Sequence, residues 1–454
     1  MRGLSLSEIA AAIGAHRVGD ADPVVQGVST DTRSLAAGEL FVALKGERFD
    51  AHDFIRRGAL PACAVLVERE VDTELPQLRV DDTLVALGRL AAFWRGRMPA
   101  RVVALTGSSG KTTVKEMIAS ILELAGPTLA TRGNLNNEIG VPLTLLSIEP
   151  AHAFAVIEMG ASHAGEIAYL TALARPDVAL VNNAGAAHLE GFGSLDGVAH
   201  AKGEIYAGLG DDGVAVINAD DRYADLWRGM SEGRKQLGFG LDAQCDCRGI
   251  WRAGAPLTIG LPNGAVIQVD LPLAGRHNAL NALAAAAAAS ALDIKPALIH
   301  QGLERVRPVP GRLHAMTGRH GLRLIDDSYN ANPTSTAAAI EVLAAMPAPR
   351  VLVLGDMLEL GEASATLHRE TGRRAAAAGI ERLYACGDMT RHAVEGFGTG
   401  GRHFDDQAAL IEALKADLDG RESVLVKGSR GMRMERVVQA LAVDAAAEVQ
   451  AHAG

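Results

Sequence analysis

The 454-residue chain carries 54 acidic and 44 basic side chains, a net charge of −10, and is 48% hydrophobic. That composition excludes a disordered chain, and the length implies about three domains. Basic residues are spread rather than clustered, which excludes nucleic acid as a partner. Any anionic ligand must be met by positive charge gathered locally.

Cys63, Cys245, Cys247 and Cys386 are too scattered for a disulfide framework, and the Cys-x-Cys at 245–247 lacks a second pair for a metal site. The opening stretch MRGLSLSEIAAAIGAHRV reads as a short helix without the continuous apolar core of a signal peptide. The longest apolar run, ALAAAAAA at 282–289, is too short to span a bilayer. The expectation is a reducing, cytoplasmic setting with no integral membrane segment.

The first segment, 1–98, holds two strand-like runs, LFVAL and CAVLVE, separated by the helix-like AHDFIRRGAL. It closes on an amphipathic helix, TLVALGRLAAFWRGRMP, stopped at Pro99. The second segment, 99–308, opens with the strand RVVAL and the turn TGSSGKTT. In the helix that follows, Val114, Met117, Ile118, Ile121, Leu122 and Ala125 fall at helical spacing, and Gly126-Pro127 ends it. The runs AFAVIEMG, VALVNNAG and GVAVINADD alternate with helical stretches and predict a mainly parallel sheet. Residues 245–271 read as a β-rich insertion before the helix HNALNALAAAAAAS.

The third segment, 309–454, carries four strand-like runs, LRLIDD, RVLVLGD, ERLYACGD and SVLVKGS. Helical patterns at 334–345, 366–379, 407–417 and 432–442 complete a βαβ array. In such sheets ligands lie beyond the carboxyl ends of the strands. The Ala-rich tail after 443 reads as frayed helix. The fold class is therefore α/β, built mainly on parallel sheets.

Glycines in TGSSGKTT (106–113) let backbone N–H groups turn toward one point. Strand, glycine turn and helix is the setting of a phosphate loop. The longer motif needs glycine at 105, where this chain has Leu105, so only Gly-Ser-Ser-Gly-Lys-Thr is present. Gly107, Ser108, Ser109, Gly110, Lys111, Thr112 and Thr113 are the nucleotide-binding candidates. Lys111 would reach the β and γ phosphates and Thr112 would hold Mg²⁺. Glu158 ends an apolar strand, His188 lies in the loop beyond the next one, and Lys202 sits in AKGEI. Taken singly, each has a plain structural reading, and a lysine ammonium does not bind a metal.

Taken together, the motifs form an ordered series: GSSGKTT, TRGNLNNEIGVPLTLL, IEMGASHAGEI, AHLEGFGS, AKGEI, GRHNALNALAA, PGRL, DDSYNANP, VLGDMLELGE and LVKGSRGMRME. With VSTDTR and GELFVALKGERFDAHDF near the start, this series resembles the Mur ligases over nearly the whole chain. DDSYNANP and GDMLELGE are the most specific, and they resemble the family branch that adds a D-alanyl-D-alanine unit. The Asp-Asn-Pro-Arg motif of the sister enzyme that adds a diamino acid or lysine is absent from the sequence.

The resemblance implies three α/β domains: a UDP-sugar-peptide domain (1–98), a central P-loop ATPase-like domain (99–308) and a C-terminal Rossmann-like domain (309–454). It implies an ATP-dependent ligase that joins D-alanyl-D-alanine to UDP-N-acetylmuramoyl-tripeptide through an acyl phosphate, in peptidoglycan precursor synthesis. ATP and Mg²⁺ would be the cofactors, and the partners would be small molecules acting on a monomer. Thr112 and Glu158 would hold one Mg²⁺ and His188 a second. Lys202 falls at the family's carbamoylated lysine, so Lys111, Glu158, His188 and Lys202 form the implied catalytic set. Asn281, Arg312 and Asp327 would bind nucleotide. Asp31, Thr32, Arg33, Lys45 and Arg48 would hold the UDP end, with Asn134 near the muramyl or phosphate region. Lys427, Ser429 and Arg430 stay open between a substrate contact and a helix cap. Two alternatives also stay open at this point: another amide ligase of the superfamily, such as folylpolyglutamate synthetase, or a P-loop switch that ligates nothing.

Overall fold

A computed structural model of the chain describes residues 1–46, 49–56 and 60–443. Arg48 and the tail after 443 lie outside the described residues. Three large sheets organise them.

The central sheet has nine strands, in the order Val266–Val269, Leu257–Gly260, Cys247–Ile250, Lys235–Gly240, Val214–Asn218, Val178–Val181, Arg101–Thr106, Phe154–Glu158 and Thr128–Ala130. Its middle strands are aliphatic runs, and every residue of Val178–Val181 and Val214–Asn218 is buried. Burial on both faces is what a parallel sheet covered by helices requires. The strands at 247–269 are an extension of this sheet rather than a separate insertion. Cys247–Ile250 pairs parallel to Lys235–Gly240, and an antiparallel hairpin then finishes the edge. Helices Lys111–Leu122 and Arg276–Ala291 pack on one face. Ala284 to Ala289 are all fully buried, and their small side chains let the second helix lie close.

The first segment forms a five-stranded sheet, ordered His16–Val18, Gln77–Arg79, Ala64–Val67, Glu39–Val42 and Gly27–Ser29. Its closing helix, Thr83–Arg95, is capped by Asp82 and ends at Gly96, three residues before the expected proline. That helix fuses the first segment to the second. Trp94 Nε1 donates to the Ile148 carbonyl at 2.8 Å. Leu6, Ile9, Leu66, Leu90 and Trp94 share one apolar core with Val102, Ile157, Leu170 and Trp227.

The last segment has six strands, ordered His314–Thr317, Arg323–Asp327, Ser423–Lys427, Arg350–Gly355, Arg382–Cys386 and Gly401–Phe404, parallel except for the first. Its apolar cores are its own. The four expected strands and four expected helices are present. The two edge strands and helix Thr390–Phe397 were not anticipated from the sequence. HAMT and GRHF mix polar and apolar residues and lack the aliphatic run that marks the inner strands.

Candidate functional site

Strand Arg101–Thr106 delivers the glycine loop to the carboxyl edge of the central sheet, and helix Lys111–Leu122 leaves from it. Gly110 has φ +77°, and a Cβ there would fall 2.6 Å from Asn281 Oδ1 and 2.7 Å from Asn182 Nδ2. Only glycine fits such a position. The loop is tied from behind by the next strand end: Ser109 N–H donates to Asn183 Oδ1 at 2.9 Å, and Asn182 Nδ2 donates to the Ser109 carbonyl and to Asn281 Oδ1, each at 3.0 Å. Lys111 Nζ folds back onto the Gly107 carbonyl at 2.7 Å. Burial lowers the Lys111 pKa; Glu158 opposes that shift and Arg312 adds to it.

A cleft of about 400 Å³ lies beyond this loop, within the size range of ligand pockets. Ser108, Ser109, Gly110, Lys111 and Thr113 line one wall with Asn281, while Arg312, Asp327, Asn332 and Lys427 line it from the last segment. Asn332 reaches across the boundary: its Nδ2 donates to Ser109 Oγ at 3.2 Å while its Oδ1 caps helix Pro333–Ala344. The Arg312 guanidinium stacks 4.0 Å from the Tyr329 ring centre, which holds its planar fork in place. Asp327 Oδ2 pairs with Lys427 Nζ at 2.5 Å, both side chains buried. Burial raises the Asp327 pKa and lowers that of Lys427, and the pair's mutual attraction opposes both shifts. Lys427 is thus a wall of the cleft. Ser429 instead accepts from Leu358 N–H at 2.8 Å, and Arg430 pairs with Glu435 at 3.2 Å.

Glu158, His188 and Lys202 do not line that cleft. Each feels the charge of Lys111. Glu158 is buried; Oε1 accepts from Asn136 Nδ2 at 2.8 Å, and Oε2 has no hydrogen-bond partner. An unpaired buried carboxylate oxygen is costly unless a cation meets it. Mg²⁺ fits this donor set, since it takes few protein oxygens and completes its shell with phosphate and water. Among the described residues no group of three or more His, Cys, Asp or Glu is gathered to hold a metal alone. Thr112 lies in the first turn of the loop helix.

His188 sits in the left-handed region (φ +53°), with Nδ1 in contact with the Glu359 carboxylate but not aligned for a hydrogen bond to it. Burial lowers its pKa, Glu359 opposes that, and Lys111 and Lys202 reinforce it. Lys202 is 2% exposed. Its Nζ donates to the Ala161 carbonyl at 3.3 Å and lies 5.2 Å from the Phe192 ring centre. Burial, then the charge of Lys111, lowers its pKa to about 7.

The first-segment candidates lie elsewhere. The Arg33 guanidinium clasps the Asp31 carboxylate at 2.6–3.1 Å, and this pairing holds the Asp31 pKa down to about 2. Arg33 and Lys45 are exposed and Thr32 is half-buried. None of these lines the cleft. Asn134 is also exposed, and its neighbour Asn136 is the residue that holds Glu158. Sequence reasoning missed Asn136, Asn182, Asn183 and Glu359, although each lies inside a stretch it had singled out; Asn332 it expected near the nucleotide beside Asp327, and Asn332 does line the cleft.

Family comparison supplies the rest. Residues 105–289 match the model of the Mur ligase middle domain, and residues 311–430 that of the Mur ligase glutamate ligase domain. The chain is 51% identical over 429 residues to the Escherichia coli K12 protein named UDP-N-acetylmuramoyl-tripeptide–D-alanyl-D-alanine ligase, covering 93% of this chain and 94% of that one. The crystal structure of MurF from Acinetobacter baumannii superposes with a TM-score of 0.91 at 38% identity, over 96% of this chain and 98% of that one. MurF from Thermotoga maritima, solved with ADP, gives 0.81 at 30% identity over 91% and 96%. With its three-domain α/β architecture and its phosphate loop facing a second segment's charged residues, the chain belongs to the Mur ligase family.

Proposed function

We propose that the protein is an ATP-dependent amide ligase that joins D-alanyl-D-alanine to the terminal carboxylate of UDP-N-acetylmuramoyl-tripeptide, in peptidoglycan precursor synthesis. The supporting observation is the cleft itself. The phosphate loop of one segment meets Arg312, Asp327 and Lys427 of another, and the charge of Lys111 helps lower the pKa of the buried Lys202.

A carboxylate is a poor electrophile, so it must first gain a leaving group. In this reading the tripeptide carboxylate oxygen attacks the γ-phosphorus of ATP and ADP departs. The dipeptide amine then attacks the acyl carbon, the tetrahedral adduct collapses with loss of phosphate, and the nitrogen sheds a proton. Gly107 to Thr113 hold the phosphates by backbone N–H groups, and Asn281 and Asp327 hold the nucleotide. Lys111 and Arg312 place positive charge where the transferring phosphoryl group develops its own. Thr112 and Glu158 would hold Mg²⁺ and His188 a second ion, which would supply positive charge between the two approaching anions. Lys202 takes part as a carbamate, formed when the neutral amine adds carbon dioxide and loses a proton. A carbamate converts a cation into a carboxylate-like ligand.

The first segment (1–98) takes the uridine end through Asp31, Thr32, Arg33, Lys45 and Arg48, with Asn134 toward the muramyl peptide. The central segment (99–308) takes ATP, and the last (309–454) closes on it. All these residues come from one chain, which suits a monomer. No helix of the described residues is long and apolar enough to cross a membrane. ATP, a UDP-sugar and four free cysteines suit the cytoplasm.

The test is phosphate release with each substrate omitted in turn, followed by mass spectrometry of the product. Release that needs both the tripeptide and the dipeptide, with a product lighter than their sum by one water, is expected. Release without amide formation would overturn the reading.

A further inference from the structure

His188 and Glu359 come from different segments yet meet side chain to side chain. His188 follows the strand Val178–Val181 of the central sheet, and Glu359 lies in the loop after Arg350–Gly355 of the last. Both residues are non-glycine with positive φ, +53° and +63°. Such backbone is disfavoured and persists only where the surroundings fix it.

Those surroundings are visible on the Glu359 side. Met357 and Leu360 are buried together against Ala331 and anchor the loop before and after it. Met357 N–H donates to His368 Nε2 at 3.0 Å, and Leu358 N–H donates to Ser429 Oγ at 2.8 Å. The loop is therefore pinned to its own segment, and Glu359 is its outward projection. On the His188 side, the Glu190 N–H reaches the Glu359 carbonyl at 3.5 Å, so the backbones also touch.

A histidine that holds a metal through one ring nitrogen must carry its proton on the other. A carboxylate that accepts from that other nitrogen fixes the tautomer and the ring plane, and outer partners of this kind matter about 10- to 100-fold in metal affinity or activity. We infer that Glu359 is a positioning residue: its carboxylate already lies against Nδ1 of a ring that has no other partner there, accepts the Nδ1–H once the ring turns into line, and so leaves the Nε2 lone pair free for a metal. The partner is delivered by the last segment, so His188 is fully aligned only when that segment is docked on the central one. Docking and site assembly become one event.

The inference rests on the ligase reading above, and its test separates the two. Nitrogen-15 NMR of histidine-labelled protein, without nucleotide or metal, reads the His188 tautomer; His188→Gln identifies the resonances by their loss. The unaltered protein should show the Nδ1–H form, and Glu359→Ala should populate Nε2–H. Glu359→Gln keeps an acceptor oxygen and should keep the native tautomer. In turnover, Glu359→Ala should lower kcat about tenfold with an unchanged KM for the UDP-tripeptide, and Glu359→Gln should restore most of it. Glu359 is largely exposed, so unchanged thermal unfolding should accompany these effects. The same tautomer in Glu359→Ala and the unaltered protein, an undiminished kcat, or a glutamine variant that behaves like alanine would each overturn the inference. Lack of amide formation by the unaltered protein would count against the ligase reading alone, since the spectrum needs no turnover.

Discussion

Replacing Lys202 tests the most demanding part of the chemistry. Burial and Lys111 bring its pKa from the ordinary 10.5 to about 7. At pH 7 an ordinary lysine is neutral in roughly one molecule in three thousand, whereas this one is neutral in about half. The population able to add carbon dioxide is therefore larger by about a thousandfold. Labelled bicarbonate should give a carbon-13 carbamate signal that Lys202→Ala abolishes. That variant should lose most ligase activity, small carboxylic acids should restore part of it, and Lys202→Arg should fail, since guanidinium stays charged. The same shift has a thermodynamic side. The unfolded chain keeps this proton up to a pH near 10.5, and the folded chain only up to about 7. The site's contribution to stability is therefore lowest below pH 7 and rises across that window. It amounts to about 5 kcal/mol at most. Lys202→Met should flatten the rise in melting temperature above pH 7. A fully active Lys202→Ala protein, or a carbamate signal that survives it, would refute the reasoning.

Lys111→Ala should cut amide formation by about 10²–10³-fold in protein that still melts cooperatively; near-normal turnover would remove the loop from the mechanism. Arg312→Ala should raise the KM for ATP while calorimetry finds UDP-substrate binding unchanged, and an equal loss of both would show the segment assignment to be wrong. Lys427→Met leaves the Asp327 carboxylate buried without its partner and should destabilise the last segment by about 3–5 kcal/mol in denaturant titration. Adding Asp327→Asn should recover much of that loss, because the stranded charge is gone.

The inner strands were legible because RVVALT, VALV and VAVIN are buried on both faces and cannot be anything else. The phosphate loop was legible because glycine, lysine and threonine fall at the seam between such a strand and a helix. Edge strands such as Gly401–Phe404 were not, since an edge needs no aliphatic run and its pairing is decided by the neighbouring strand. The site was legible where a residue's chemistry is distinctive, as with Lys111 and Arg312. It was not where the role is set by a partner far along the chain: Asn136 matters because it holds Glu158, and Asn182 because it ties the Ser109 carbonyl across 73 residues. The C-x-C pair shows the opposite case. Cys247 is buried with its thiol against the Leu283 carbonyl, a packing role that the two-residue spacing from Cys245 does not announce.

The core shared by the first and central segments makes them a ruler. Trp94, Leu90 and Leu6 are locked among Val102, Ile157 and Trp227, so the span from the outer sheet to the phosphate loop has one value. With the uridine held at one end, as proposed, a substrate must reach the phosphate with its own length. Each residue of extended peptide adds about 3.3–3.6 Å. A precursor one residue short would leave its carboxylate stranded by that distance, anchored as well as ever but out of range. Such a substrate should keep its KM and lose its kcat, with chain length rather than side-chain identity setting which precursor is extended.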